Sequence, residues 1–258
     1  MNLNLENKVF IVTGGSEGIG EEISRTILRE NGIVVIASQV KEITNAMIEE
    51  YSKQRCLGVI GDLKEDIFCK KVIDETLKTF GKIDGIVNNA GVNDGVGIEA
   101  GPEKFRSSLN ANLCHYYNMV HFSLPSLKKT KGSIVNISSK VAISGQGGTS
   151  GYAASKGGQL GLTREWAAEL CKFSIRVNAI LPAEVRTPMY VKTRLDVASN
   201  PEAVDREITS KIPYERRMTT ATEIANTVTF LLSDVSSHTT GQFIYVDGGY
   251  THLDRALT

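Results

Sequence analysis

Seven short apolar runs recur along the chain, at 8–15, 33–37, 56–60, 83–91, 132–138, 175–181 and 242–249. They are rich in Val and Ile and apolar at successive rather than alternate positions, as strands covered on both faces of a parallel sheet are. Between them the apolar spacing changes to three and four. Ile19, Ile23, Ile27 and Leu28 make one stripe, Val72, Ile73, Leu77 and Phe80 a second, and Ile224, Val228, Leu231 and Leu232 a third, each the buried face of a helix. Gly32 and Gly81 fall just past helices, where a left-handed C-cap is wanted. This alternation predicts an α/β fold, a doubly wound parallel sheet of about seven strands in a single Rossmann-type domain covering 1–258. No Pro/Ser-rich linker and no internal repeat interrupts it. Ligands of such sheets lie outside the carboxyl ends of the strands, so the chemistry is sought in the loops 13–20, 37–41, 61–63, 88–94, 138–150 and 182–210.

Composition narrows the class without changing this picture. With 41% hydrophobic and 22% charged residues among 258, the chain is an ordinary globular protein. Its 29 basic and 29 acidic residues cancel, and no Lys/Arg block offers the footprint that nucleic acid or an anionic membrane requires. The first residues, MNLNLENKVF, do not read as a signal peptide, and no apolar run approaches the ~20 residues of a membrane helix. Cys56, Cys69, Cys114 and Cys171 form no CxxC pair, and His115, His121, His238 and His252 show no ligand spacing. Neither a disulfide frame nor a metal site is expected. A cytoplasmic protein with a small-molecule ligand is the expectation.

The first strand runs into TGGSEGIG (13–20) and a helix. Glycines at 14, 18 and 20 let backbone approach a pyrophosphate, while the helix N-terminus supplies free N–H groups. A Gly-rich strand-to-helix turn is by itself only a turn; its place after the first strand favours a nucleotide site. VNNAG (87–91) is either a polar turn or the floor of a ribose pocket. Asp62, after the third strand, either accepts a bond from an adenine amino group or caps the helical segment 64–80. At the end of the second strand Ala37-Ser38-Gln39 offers neither the acid that selects NAD nor the Arg that selects NADP. Glu17 disfavours a 2′-phosphate while Ser38 and Lys41 would welcome one, and the balance leans slightly to NAD.

In GYAASKGG, Tyr152 and Lys156 stand four apart and share one face of a helix. A phenol with a pKa of about 10 is a poor base at neutral pH, and a nearby ammonium favours its ionised form. Such a pair is common by chance, but NISSK places Ser139 at the end of the preceding strand, thirteen residues before Tyr152. A hydroxyl there can hold a substrate oxygen beside the phenol.

Taken together, TGGSEGIG, NNAG, Ser139, YAASK and the NAILPAEVRTPM stretch resemble the short-chain dehydrogenase/reductase family over 8–249. The resemblance implies a Ser–Tyr–Lys triad in which Tyr152 is the general acid/base, Lys156 lowers its pKa and binds the nicotinamide ribose, and Ser139 orients the reacting oxygen. It adds Asn112, of SLNANL, as the holder of a water in a proton relay. A polar residue satisfied inside a helix is the alternative for Asn112. The resemblance also implies an NAD(P) cofactor contacted by Gly14, Ser16, Glu17, Gly18, Ile19, Gly20, Ser38, Asp62, Leu63, Asn89, Ala90, Gly91, Tyr152, Lys156, Pro182, Val185, Thr187 and Met189. It implies a homotetramer built on helices around 102–129 and 150–173; core burial alone would equally explain the apolar faces there (Tyr116, Tyr117, Met119, Leu160, Leu162, Trp166). Two positions depart from the family pattern: Cys114-His115-Tyr116 stands where a Gly is usual, and Ala183-Glu184 follows Pro182 in place of Gly. Within the family, the segments around Tyr152 and Glu184 and the tail SHTTGQFIYVDGGYTHLDRAL are most similar to the bacterial L-fucose dehydrogenases, which oxidise the anomeric hydroxyl of a pyranose to a lactone.

With Tyr152 as base, Glu184 is not needed as a second acid. A carboxylate beside the nicotinamide suits sugar hydroxyls, whose hydrogen bonds discriminate strongly. Lys140, Gln146 and Thr149, between Ser139 and Tyr152, offer further polar contacts, and 183–215 reads as a substrate loop. For each of these an exposed loop side chain is the alternative. The rival functions are a 3-oxoacyl, steroid or other carbonyl reductase of the same family, disfavoured by Lys192, Arg194, Asp196, Arg216 and Arg217, and a non-catalytic dinucleotide sensor. The tail after Gly249 either closes over a substrate pocket or frays.

Overall fold

The computed structural model describes residues 2–253, with the backbone alone for Met189, Thr193 and Arg194. Seven parallel strands form one sheet: β1 (Val9–Thr13), β2 (Ile33–Ser38), β3 (Cys56–Ile60), β4 (Gly85–Asn88), β5 (Ser133–Ile137), β6 (Arg176–Pro182) and, after the short β7 (Val185–Arg186) and β8 (Thr219–Thr220), β9 (Phe243–Val246). The spatial order is β3-β2-β1-β4-β5-β6-β9. The chain winds outward from β1 to β3, returns to the other side of β1, and winds outward again. The crevice where that order reverses, between β1 and β4, is where ligands of this architecture sit.

The helices are α1 (Gly18–Arg29), α2 (Lys41–Tyr51), α3 (Asp66–Phe80), α4 (Pro102–Leu109), α5 (His115–Thr130), α6 (Ser150–Leu170), the single turn α7 (Pro188–Tyr190), α8 (Pro201–Ser210) and α9 (Ala221–Leu232). They cover both faces of the sheet, which explains why the strands lack alternation. In β1, Val9 and Ile11 join Val72, Ile73, Tyr116, Met119 and Trp166 of α3, α5 and α6. Phe10 and Val12 face the other way, onto Ile23 and Ile27 of α1 and Val228 and Leu231 of α9.

Several expectations shift by a residue. Gly81 takes the left-handed cap of α3 with φ +76°, but after α1 that conformation belongs to Asn31, φ +63°. Gly32 is small for another reason: a Cβ there would lie 2.6 Å from the Ile27 side chain. Leu77 is exposed; Thr76 takes the buried place on α3, its hydroxyl donating to Val72 O (2.6 Å). Asp62 does not cap α3, whose N-cap is Glu65; its carboxylate accepts from the Lys64 N–H (2.9 Å) instead. Periodicity gave no sign of the parallel pair β7–β8, which ties the segment after β6 to the approach to α9. It also gave no sign of the π-helical turn Asn110–Cys114 that joins α4 to α5.

Candidate active site

The loops at the carboxyl ends of β1 and β4 are tied into one unit by Thr13. Its hydroxyl accepts from the N–H groups of Asn89 (2.9 Å) and Ala90 (3.1 Å), and Asn89 Nδ2 donates back to Thr13 O (2.9 Å). Gly14 and Gly18 have φ of +63° and +54°, and a Cβ on Gly20 would come within 2.1 Å of Gly14 O. Only glycine permits this turn. No side chain caps α1, so its first N–H groups remain available to an anion. Ser16 and Ser38 are buried and share a 2.6 Å hydrogen bond, and Val40 N–H donates to Ser38 Oγ (3.0 Å). Glu17 is exposed, and Ile19 packs against the α1–α9 core. A Cβ on Gly18 would touch Thr187 Cγ2 at 3.4 Å, so the segment after β6 reaches the glycine turn. Pro182 ends β6 and pairs with Val246, while Val185 is buried in β7. Leu63 is partly buried and packs against the core. The side chain of Met189 lies outside the described residues.

On the other side of β4 stands the Ser–Tyr–Lys group. α6 is anchored to β5 by Ser138 Oγ, which donates to Lys156 O (2.8 Å). That bond sets Lys156 deep in the crevice, 3% exposed, with Nζ donating to Ile137 O (2.7 Å). Nζ lies 5.4 Å from the Tyr152 ring centroid and 5.7 Å from that of Tyr116. Burial pushes the Lys156 ammonium down to about 7. Burial also pushes the Tyr152 phenol up to about 12, while a hydrogen bond with Ser139 draws it the other way. Both shifts have one cause, the cost of holding a charge away from water. The ammonium that favours an ionised phenol is thus itself disfavoured by the burial that raises the phenol.

Asn112 is fully buried in the π-helical turn. Its Oδ1 accepts from Val92 N–H (2.7 Å) and its Nδ2 donates to Ser108 O (3.1 Å), so both ends of the amide are held by backbone. A Cβ on Gly91 would meet Asn112 Oδ1 at 2.9 Å and Lys156 Nζ at 3.6 Å. That glycine lets the NNAG turn settle onto both. A ladder of buried amides continues beneath: Asn88 Nδ2 donates to Asn136 Oδ1 (2.9 Å), Asn136 Nδ2 to Thr163 Oγ1 (2.9 Å), and Gln159 Nε2 to Asn112 O (2.7 Å). It fastens β4, β5, α6 and the π turn together.

Above this floor, Lys140 Nζ is ion-paired with Glu184 Oε1. Tyr190 Oη donates to Glu184 Oε2 (2.7 Å), and the Lys140 ammonium sits 4.0 Å from the Tyr250 ring centroid. Side-chain exposure is 12% for Lys140 and 17% for Glu184, so the pair is largely withdrawn from solvent. Thr149 is buried at the start of α6. Gln146 is exposed and makes no hydrogen bond to this cluster among the described residues.

A family model described as enoyl-(acyl carrier protein) reductase matches residues 14–251. The 3-oxoacyl-[acyl-carrier-protein] reductase FabG of Thermotoga maritima is 34% identical over 96% of this chain and 99% of its own. The L-fucose dehydrogenase of Rattus norvegicus is 33% identical over 94% and 88%. This chain is a short-chain dehydrogenase/reductase. Among solved structures, Cj0485 dehydrogenase is 45% identical with a TM-score of 0.96, covering 100% of this chain and 99% of that one. The aldohexose dehydrogenase of Thermoplasma acidophilum is 31% identical, with a TM-score of 0.88 and 98% of each chain covered.

As a family member the protein is an NAD(P)-dependent oxidoreductase acting on CH–OH or carbonyl groups. The uncapped N-terminus of α1 and the clearance left by Gly14, Gly18 and Gly91 fit a dinucleotide. His115, where the family usually carries Gly, is buried, with neither ring nitrogen hydrogen-bonded among the described residues. Burial first, and the Lys156 ammonium second, push it down to about 4, so it stays neutral. Sequence reasoning gave no individual role to Thr13, Asn88, Asn136, Tyr190 or Tyr250, though TGGSEGIG, VNNAG, NISSK, the 183–215 loop and the tail after Gly249 contain them. The two asparagines had left a further signal, as polar residues inside otherwise apolar strands; the tyrosines had only their place in those segments.

Proposed function

We propose that this enzyme oxidises a neutral aldose of the L-fucose type at its C1 hydroxyl, giving the lactone, with NAD as the preferred acceptor. The observation that supports it best is the largely buried Glu184 carboxylate, held by Tyr190 and by Lys140, the residue next to Ser139. An acyl chain or a steroid would meet an ion pair there, whereas sugar hydroxyls find an oriented acceptor and donor. The names of two similar proteins, an L-fucose dehydrogenase and an aldohexose dehydrogenase, point the same way. The 34% identity to a FabG keeps a carbonyl reductase as the rival to be tested.

Within this reading Ser139 and Tyr152 hold the C1 hydroxyl, and Tyr152 Oη takes its proton as C1 gives up its hydride. The bound cofactor supplies the hydride acceptor, cradled by Gly14, Ser16, Gly18, Asn89, Ala90, Gly91 and Thr187. Lys156 stabilises the ionised phenol. Asn112 acts by position, holding the NNAG turn through Val92. The absence of an Arg at the end of β2, and the use of the Ser38 hydroxyl by Ser16 and Val40, favour NAD over its 2′-phosphorylated form. Residues 183–215 form the substrate loop, and a homotetramer is part of the same reading.

A panel of aldoses assayed with NAD and NADP, following reduced-cofactor absorbance, tests it. Turnover of L-fucose, L-galactose or D-arabinose with NAD is expected. Turnover of 3-oxoacyl thioesters or hydroxysteroids with all aldoses inert would overturn it.

A further inference from the structure

Four side chains that meet at the rim come from four separate segments. Lys140 follows β5, Glu184 follows β6, Tyr190 belongs to α7 and Tyr250 follows β9. Their meeting is built rather than incidental, because three of these segments are anchored by bonds outside the cluster. Ser138 N–H donates to Ile180 O (2.8 Å), fixing the ends of β5 and β6 side by side. Thr219 N–H donates to Glu184 O (3.0 Å), so β8 fixes the residue that carries the carboxylate. The Tyr250 turn is held by buried Asp247, whose two oxygens accept from Gly249 N–H and Thr251 N–H, each at 2.9 Å. Gly248 and Gly249, with φ of +62° and +80°, allow that turn to double back.

Resting on the sugar reading above, we infer that Lys140 and Glu184, braced by Tyr250, act as one neutral reader of the substrate, which selects uncharged polyols and rejects sugar acids. Glu184 Oε1 is committed to the Lys140 ammonium and Oε2 to the Tyr190 hydroxyl, so each oxygen has an acceptor position left for a hydroxyl proton. The Lys140 ammonium has three donors, only one of which is taken by Glu184 in the described contacts. A diol can therefore bridge the pair, giving a proton to the carboxylate and receiving one from the ammonium. The Tyr250 ring, 4.0 Å from Nζ, braces the ammonium in place by a cation–π contact. A uronate meets a different field. Its carboxylate must approach Glu184, and Lys140 is already neutralised, so attraction to the ammonium and repulsion from Glu184 cancel while the desolvation cost remains. Selectivity for neutral sugars lies in the pair, and neither partner alone provides it.

The test is a double-mutant cycle on kcat/KM with two probes of matched ring stereochemistry, L-fucose and L-galacturonate. Glu184→Gln keeps shape but frees the ammonium. It should lower kcat/KM for L-fucose by about 10–100-fold, the range of one charge-assisted hydrogen bond, chiefly through KM, and raise that for L-galacturonate. Lys140→Met should lower the L-fucose value similarly without raising the uronate value. The double variant should lose little more than either single one, because both remove the same unit. Losses that multiply, or a fucose-to-galacturonate ratio unmoved by Glu184→Gln, would overturn the paired reader. Cofactor titration by fluorescence checks folding, and Lys140→Gln replaces Lys140→Met if that variant fails it. A wild type active on L-fucose with multiplying losses sinks this inference alone; a wild type inert on every aldose sinks the sugar reading and this inference with it.

Discussion

The floor and the rim of one crevice are built by opposite means. On the floor, Asn112, Lys156 and the Asn88–Asn136 pair are buried and hydrogen-bonded to backbone, to one another or to Thr163, with only Asn88 Oδ1 of their side-chain atoms unpartnered among the described residues. At the rim, Lys140, Glu184, Tyr190 and Tyr250 meet through side-chain contacts, from four separate segments of the chain. The floor is part of the fold, so a change there disturbs stability and chemistry together. The rim is added to the fold, so a change there should alter what binds and leave the scaffold intact.

The largest effect that can break this contrast is at Tyr152. Tyr152→Phe keeps the ring and removes the only atom assigned to proton transfer, and turnover should fall by about 10²–10⁴-fold or more with cofactor affinity nearly unchanged. The pH profile sharpens the same point. With its phenol pushed up to about 12, Tyr152 is protonated in the resting site at neutral pH. The kcat/KM for oxidation should therefore climb steadily from neutral to alkaline pH, and that for the reverse reduction should not. A flat oxidation profile between neutral and alkaline pH would remove Tyr152 from the role.

Glu184→Ala should come next. It removes both acceptor oxygens at the rim, and KM for the sugar should rise about 10–100-fold while kcat changes little. A collapse of kcat with KM unchanged would move Glu184 from rim to floor. Thermal unfolding should barely respond, since the pair is largely an addition to the scaffold.

Most of the floor was legible in the sequence because its chemistry is local. Tyr152 and Lys156 lie on one helical turn, Gly14, Gly18 and Gly20 on one strand-to-helix turn, and Asn89–Gly91 on one strand end. The fold was legible because both faces of every central strand are covered, which leaves continuous Val/Ile runs. The rim was legible only in part. Glu184 and Lys140 drew notice as polar residues in the right loops, but nothing in their spacing says that they pair. The contact depends on β5 and β6 lying adjacent in the sheet, a tertiary fact. Tyr250 depends further on β9 lying beside β6. The Lys156–Tyr152 pairing was legible as helical spacing, but the burial that both groups share, and that opposes charge on each, was not.

Lys156 gives a prediction of a different kind, since the floor holds a charge at a cost. Its folded-state pKa of about 7 lies below the unfolded value of 10.5. Between these limits the folded state binds fewer protons than the unfolded one, so stability should rise as pH rises through that window. Lys156→Met should abolish that rise in thermal or denaturant unfolding followed across pH, and leave the variant no less stable than wild type near pH 7. An unchanged slope would mean that another group sets it. Asn136→Ala should act in the opposite direction. It strands the Asn88 amide, at about 1–3 kcal/mol, while the Thr163 hydroxyl keeps its own bond to Gln159 O (2.7 Å). Denaturant unfolding should show the loss.

The smallest effect belongs to Gln146, and it bounds the rim from outside. It lies in the Ser144–Thr149 loop, which reads SGQGGT, between glycines with no atom within 4 Å of where a Cβ would be. Its side chain is exposed, whereas Lys140, six residues earlier, is fixed by Glu184 and Tyr250. A side chain with no anchor in the free enzyme must lose rotamer freedom of about 1.5–2 kcal/mol to hold a sugar, about as much as the single neutral hydrogen bond it would gain. Gln146→Ala should therefore change kcat/KM for L-fucose by less than about twofold on that near-cancellation. A tenfold loss would show that the loop closes on the substrate and that the rim extends beyond the four anchored side chains.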